Sequence, residues 1–447
     1  MTRRLAEVLA TTSYDDLPAE VVADALRSVT DWLGSALAGS LEPPARMAQR
    51  VCAGLGASSE ATVFGAGRSS AAGAALANGV ASHILELDDV HKGSTLHPAA
   101  PIIPAALAVA EREHSTGRAF LLAVTLGYDA AMRIGEAVNP SHYRFWHPTG
   151  TVATFGAAAA AGSLMRLDAA RMQDALGSAG TQAAGLWEFN ADGSMSKHLH
   201  PGKAAFNGIL AADLARAGFT GASQILEGDR GFCRAMSESY DMARIVDRLG
   251  ESWKIRENCY KMHSCCGHTH TAIDAALALR PEVAGKAAHI LIETYGPGFE
   301  IVKESSPRSA YQAKFSIAYC VAAALGEGRV GLEQFPADGF TDEGARDAAV
   351  ARLLRRTEVR VADDLTAKYP AAWPARLTIE LEDGSRRCAG ADFPRGNPEN
   401  PVSNGELEDK FRELVGPRLG ADTAERALAA VHGLATCKDM AEAFRNL

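Results

Sequence analysis

Ala71-Ala72-Gly73-Ala74-Ala75-Leu76-Ala77-Asn78-Gly79-Val80-Ala81-Ser82-His83-Ile84-Leu85-Glu86-Leu87 runs directly into Asp88-Asp89-Val90-His91-Lys92-Gly93-Ser94-Thr95-Leu96-His97-Pro98. The first stretch reads as an alanine-rich helix. The second is a break holding two adjacent carboxylates, two histidines, a lysine and two hydroxyls. Alanine at this density predicts thin helices packed closely, with little room for strands. A helical protein seldom gathers so much acid/base equipment between apolar helices, so the break reads as the rim of a site where a proton is moved.

The same texture extends on both sides. Pro18 suits a helix start, and Val21, Val22, Ala25, Leu26, Val29 and Leu33 then share one face. Further helices are predicted over 101–113, 120–134 and 152–165. After about residue 285 the texture changes. Residues 288–294, 359–361, 376–381 and 387–391 read as strands, the last two forming a hairpin through Asp383-Gly384. Helices are expected around 315–325 and 341–355 among them. A loop at 397–401 leads to helices from Asn404 onward. The fold class is mainly α with a smaller α+β segment.

At 447 residues the chain is long enough for two domains. A net charge of -9 argues against a nucleic-acid surface. No uninterrupted apolar run reaches membrane-spanning length. The acidic residues that follow Arg3 and Arg4 leave no apolar core of a signal peptide, so a cytoplasmic protein is expected. The eight cysteines lack CxxC spacing and read as reduced thiols.

Of 13 histidines, 11 lie between His83 and His270. Most fall in four clusters at helix breaks. The first is Asp88–His97, where only one of the two aspartates is expected to face a site. The second is Tyr143-Arg144-Phe145-Trp146-His147-Pro148-Thr149-Gly150-Thr151, ahead of a helix N-terminus that suits a carboxylate. The third is Gly193 to Lys203, with Lys197, His198, His200 and Lys203 ahead of another alanine-rich helix. The fourth is Tyr260-Lys261-Met262-His263-Ser264-Cys265-Cys266-Gly267-His268-Thr269-His270. Capped loops and a solvated basic surface are the plain alternatives for these segments. For the fourth cluster, structural zinc and a nucleophilic Cys266 are weighed, but adjacent cysteines seldom share one ion. Gly65-Ala66-Gly67 begins like a dinucleotide fingerprint, but Ser70 stands where the third glycine belongs. No cofactor and no metal are expected. Cations, histidines and a carboxylate together suit proton abstraction beside a carboxylate of a small polycarboxylate, with cationic donors stabilising the resulting anion.

At these residues the chain resembles the MmgE/PrpD family. Asp88-Asp89-x-His91 with Leu96-His97-Pro98, Trp146 to Thr151 running into Phe155-Gly156, Ser196-Lys197-x-Leu199-His200-x-Gly202, and Lys261 through His270 are similar to its motifs in order. So are Lys314-Phe315-Ser316-Ile317-x-Tyr319-Cys320 and Asn397-Pro398-x-Asn400-Pro401. The resemblance covers nearly the whole chain. It implies a large all-helical domain over 1–268 and 398–447, a smaller α+β lid over 269–397, a homodimer, and a site in the cleft between the domains. It implies catalytic positions at Asp89, His97, His147, Lys197, Lys261 and Tyr319. His91, Arg144, Thr149, Lys203, Cys266 and Lys314 are taken as substrate-binding.

Family members dehydrate 2-methylcitrate, decarboxylate cis-aconitate or epimerise iminodisuccinate, all through a carbanion beside a carboxylate. The expectation is a metal-independent lyase that dehydrates a small hydroxy-di- or tricarboxylate such as 2-methylcitrate. His97 or His147 would take the proton, Asp89 would orient that histidine, Lys197 and Lys261 would bind carboxylates, and Tyr319 would protonate the leaving hydroxyl. Val90 and His198 depart from the family's common threonine and proline. Cys266 stands where decarboxylating relatives carry a catalytic histidine, which argues against decarboxylation. Epimerisation and decarboxylation are the rival reactions, and a polycarboxylate-binding protein is the rival outside the enzymes.

Overall fold

The computed structural model describes every residue except 55–57, 284, 337–339, 341–346 and 446. Helix dominates, and among the described residues strands are confined to two small sheets. The chain divides into two units. The first comprises Met1–Ile84, Asp88–Asn258 and Ser403–Leu447; the second comprises Leu85–Leu87 and Cys259–Val402.

In the first unit, small residues set how closely helices approach. The Gly117–Val138 and Val152–Leu164 helices meet at Gly127 and Gly156, where a Cβ on Gly156 would lie 2.6 Å from the Gly127 carbonyl oxygen. The Ala71–His83 and Ser196–Arg216 helices meet at Gly79 and Gly202, where a Cβ on Gly79 would lie 2.7 Å from Gly202 Cα. Backbones this near leave no space for larger side chains, which is why the alanine-rich segments form thin, buried helices. Trp32, on the buried Ala19–Gly39 helix, donates from Nε1 to Ser82 Oγ at 2.7 Å. The C-terminal Asn404–Leu419 helix packs on that same helix, and its Lys410 Nζ pairs with buried Asp31 Oδ1 at 2.6 Å. Its start carries a capping box, with Ser403 and Glu406 satisfying each other's backbone amides.

Two elements differ from the sequence reading. The segment around Gly65-Ala66-Gly67 forms a short ribbon, β1 (Ala61–Val63) antiparallel to β2 (Gly67–Ser69). Gly65 and Gly67 have φ of +73° and +90°, so these glycines shape a turn. The helix that starts at Ala71 ends at His83, short of Leu87. Glu86, with φ of +57°, has left the helical region altogether.

The second unit is built on a four-stranded sheet. β3 (Ala287–Thr294) runs parallel to β4 (Thr357–Val361) and antiparallel to β5 (Ala375–Leu381), which pairs antiparallel with β6 (Arg386–Ala391). Along β5, Ala375, Leu377, Ile379 and Leu381 are buried while the residues between them are partly open, the period-two pattern of a sheet with one face on the core. The His270–Val283, Ile317–Glu327 and Ala348–Arg355 helices all contribute to that core. Of the helix expected over 341–355, Ala348–Arg355 is observed, and 341–346 lie outside the described residues.

Candidate active site

The Gly79–Gly202 crossing sets His83, the last residue of its helix, beside the first turns of the Ser196–Arg216 helix. Lys197, His198, His200 and Lys203 therefore sit on the helix itself, rather than in a loop ahead of it. The His83 ring centroid lies 4.8 Å from that of His97, 5.7 Å from His147 and 6.3 Å from His198. His147 lies 5.2 Å from His200, and Trp187 and Phe189 close over it at 4.9 and 5.7 Å. Five histidines thus share one buried region of the first unit, and His97 is only partly covered.

Hydrogen bonds fix the orientation of these rings. His83 Nδ1 donates to Asp88 Oδ2 at 2.7 Å. His97 Nδ1 donates to the Asp89 carbonyl at 2.7 Å and lies 3.5 Å from Asp88 Oδ2. Because a carbonyl or carboxylate only accepts, both rings carry their hydrogen on Nδ1, and their neutral forms keep a lone pair on Nε2. His147 Nδ1 and His200 Nδ1 are 2.9 Å apart, so one proton lies between them. Burial, reinforced by His200, His83, Lys197 and His97, holds His147 well below the usual imidazole range. Burial followed by Lys203 lowers His200 to about 3. Both rings are neutral at pH 7, in a setting where a charge that develops during reaction is poorly screened.

The paired aspartates divide their work differently from the expectation. Asp88 presents its carboxylate to the histidines. Asp89 turns away: Oδ2 accepts from Tyr128 Oη at 2.7 Å and Asn258 Nδ2 at 2.8 Å, and Oδ1 accepts from Ala99 N at the head of the Ala99–Arg112 helix. Burial, with Asp31 adding to it, pushes the Asp89 carboxyl up to about 8. Asp89 orients His97 through its main-chain carbonyl. Thr149 Oγ1 accepts from His97 N at 3.2 Å, so Thr149 positions the backbone of that histidine.

Other expected substrate contacts are engaged elsewhere. Lys203 Nζ reaches the carbonyls of Ala184 at 2.7 Å, Gly150 at 3.3 Å and Gln182 at 3.4 Å, clamping two loops together. Arg144 is exposed and pairs with Glu238 at 3.4 Å. His91 contacts Ser94, Glu136 and Glu257, none of which belongs to the histidine cluster.

The remaining predicted residues lie in the second unit. Lys261 Nζ pairs with Glu86 Oε2 at 3.3 Å, both buried. Lys314 Nζ donates to the Leu85 carbonyl at 2.9 Å and lies 3.4 Å from Ser264 Oγ, while its carbonyl accepts from Cys266 N at 2.9 Å. Tyr319 is fully buried, and its hydroxyl donates to the Gln334 carbonyl at 2.5 Å. That proton is directed into the core, so the role of proton donor to a leaving hydroxyl does not carry over to this arrangement. His263 pairs with Asp274 at 2.9 Å, and His268 bonds Tyr295 and packs on Trp373.

His83, Asp88, His198 and His200 belong to the first unit's cluster without having been expected as site residues. In the second unit, Glu86 is an acid set between two leucines, which a surface position would not require. Among the described residues two groups have metal-ligand geometry: His83 with His97 and His147, and His91 with Glu136 and Glu257. Neither includes a residue of the 261–270 segment considered for zinc. No helix of the described residues is long and apolar enough to cross a membrane.

The model of the MmgE/PrpD N-terminal domain matches residues 3–245, and that of the C-terminal domain matches residues 263–436. A cis-aconitate decarboxylase-like protein of Aspergillus oryzae is 27% identical over 99% of this chain and 96% of its own. The cis-aconitate decarboxylase of Aspergillus terreus is 27% identical over 93% of this chain and 89% of its own. The cis-aconitate decarboxylase of Homo sapiens is 27% identical over 98% and 93%. With both domain models matched in order along nearly its full length, the chain belongs to the MmgE/PrpD family.

Proposed function

We propose that this protein is a lyase acting on a small tricarboxylate through a carbanion formed beside a carboxylate. One observation carries the reading: His97, partly open, has its hydrogen fixed on Nδ1 by the Asp89 carbonyl, with the Asp88 carboxylate 3.5 Å behind it. That arrangement aims a basic Nε2 forward and stabilises the imidazolium that forms when it takes a proton. Lys197, close enough to His147 and His200 to oppose their protonation, supplies positive charge for a substrate carboxylate or enediolate.

Decarboxylation of a cis-aconitate-like substrate is the first reading, because the relatives above carry that activity in their names. Carbon dioxide leaves, its bonding pair stays on the carbon framework, and a protonated histidine quenches it. Dehydration of a hydroxytricarboxylate such as 2-methylcitrate is the second reading, favoured by Cys266. There His97 takes the α-proton and the hydroxyl leaves with a proton as water. Both reactions draw on the same residues and call for no metal.

The test is incubation with cis-aconitate, citrate, methylcitrate stereoisomers and iminodisuccinate, each followed by NMR in deuterated water with carbon dioxide measured in parallel. Release of carbon dioxide from cis-aconitate establishes the first reading. Loss of water without carbon dioxide establishes the second. Neither turnover nor deuterium exchange with any of them would sink the lyase assignment.

A further inference from the structure

His83, His97 and His147 each offer one ring nitrogen to a set whose members all lie within 4.8 Å of one another. Each ring is held from behind through Nδ1: His83 by the Asp88 carboxylate at 2.7 Å, His97 by the Asp89 carbonyl at 2.7 Å, and His147 by His200 at 2.9 Å. Carboxylate and carbonyl partners behind an imidazole are the arrangement that orients histidine ligands toward a metal and raises their basicity. A second observation points the same way: His83 Nε2 is buried and makes no hydrogen bond among the described residues.

We propose that His83, His97 and His147 form a binding site for a zinc-class divalent transition-metal ion, and that such an ion blocks the proton-transfer chemistry instead of supplying it. The second half rests on the lyase reading given above. Three imidazoles with an open fourth position suit zinc, whose nitrogens sit about 2.0–2.1 Å from the ion, so the ligand atoms must close to roughly 3.4 Å. His97, with 13% of its side chain exposed against 0% for His83, is the ring that swings to close the set. An ion held there occupies the Nε2 lone pair that the reaction needs.

The donor set also fixes selectivity. Imidazole suits zinc, copper, cobalt and nickel, whereas magnesium and calcium want oxygen ligands. Charge cuts both ways. Asp88 neutralises part of the ion, and the Lys197 ammonium opposes it, so Lys197→Met tightens binding. The rival group, His91 with Glu136 and Glu257, already holds a cation: Lys254 Nζ lies 3.0 Å from both carboxylates.

The test uses the full chain stripped with chelator. Cobalt(II) titration followed by visible absorption, and zinc by equilibrium dialysis with metal quantification, give stoichiometry and affinity. The proposal predicts one equivalent, no competition from magnesium, and at least tenfold weaker binding in His83→Gln and His147→Gln. Asp88→Asn is expected to weaken it about 10- to 100-fold, as loss of an orienting partner does. His91→Gln binds like the parent. No stoichiometric ion, binding unchanged in His83→Gln and His147→Gln, or binding lost in His91→Gln overturns the site.

A measurement on the unaltered protein guards against variants that fail to fold. Zinc must shift three histidine Nε2 resonances in ¹⁵N spectra, and shifting none overturns the site. Where a tricarboxylate is turned over, chelator leaves the rate unchanged and one equivalent of zinc abolishes it. Activation by zinc overturns the inhibitory half. Stoichiometric binding at these histidines without turnover of any tricarboxylate confirms the site and contradicts the lyase reading, so the two failures are distinguishable.

Discussion

Asp88→Asn and Asp89→Asn change neighbouring residues by the same few atoms, and the structure gives them different outcomes. Asp88 accepts from His83 Nδ1 at 2.7 Å and lies 3.5 Å from His97 Nδ1. An amide there removes the negative charge that faces an imidazolium during proton transfer. A hydrogen bond to a charged group contributes about 1.5–3 kcal/mol net, and unit charges near 4 Å interact by about 4 kcal/mol at an effective dielectric of 20. A loss between those limits lowers kcat roughly 10- to 1000-fold.

Asp89 instead accepts three hydrogen bonds within the first unit, and burial pushes its carboxyl from 3.8 up to about 8. A folded-state pKa above the unfolded value gives stability that is complete below the unfolded value and is lost as pH rises through the folded one. A rise of about 4 units at 1.36 kcal/mol each sets an upper bound on the order of 5 kcal/mol for this loss between pH 4 and 8. Asp89→Asn removes the titrating group, so its stability falls less steeply over that range than the parent's. Urea unfolding of both proteins at pH 5, 6.5 and 8, with kcat for Asp88→Asn and Asp89→Asn at pH 7, measures both effects. Equal kcat losses in two folded variants, or an unchanged pH slope in Asp89→Asn, would refute the division of labour.

Lys410→Met removes the buried cation that pairs with Asp31 and should cost about 3–5 kcal/mol in urea unfolding; a change under about 1 kcal/mol would mean the pair does not tie the Asn404–Leu419 helix down. His200→Phe removes the partner that shares a proton with His147 Nδ1. Loss of a hydrogen bond between neutral rings, worth about 0.5–1.5 kcal/mol, lowers kcat roughly 2- to 10-fold with KM nearly unchanged; a rise in KM alone would make His200 a substrate contact. Gly202→Ala places a Cβ 2.4 Å from the Leu76 carbonyl oxygen, pushing the His83 helix off the His200 helix. Thermal unfolding should show a loss of about 1–3 kcal/mol together with reduced kcat, and a fully stable, fully active variant contradicts the close crossing as the source of the cluster.

Much of this architecture was legible because the signals were local. Alanine runs announced buried helices, and the alternation of Leu377, Ile379 and Leu381 announced a strand with one face on a core. The clusters that hold His97, His147 and Lys197 were legible because each stood at a helix break, the family resemblance singled out these three within them, and the first unit holds them near one another. What escaped was decided by distant partners. Leu85 and Leu87 continue the apolar pattern beyond His83, yet Glu86 at φ +57° leaves the helix and pairs with Lys261, 175 residues away. Adjacent aspartates must point differently, but Tyr128 and Asn258 decide which one turns from the histidines. Lys203 looked like a substrate cation and serves three backbone carbonyls. The β1–β2 ribbon escaped because three-residue strands carry too few residues to show a period.

The proposed lyase chemistry requires His97 Nε2 to exchange a proton with carbon beside a substrate carboxylate. The most direct measurement is proton NMR in deuterated water of the tricarboxylate that the protein turns over, with the parent and with His97→Gln of matched stability. Solvent deuterium is expected at one carbon position with the parent and at least a hundredfold slower incorporation with His97→Gln, the scale of general acid–base catalysis, about 10²–10⁴. Incorporation at the parental rate in the folded variant would contradict it.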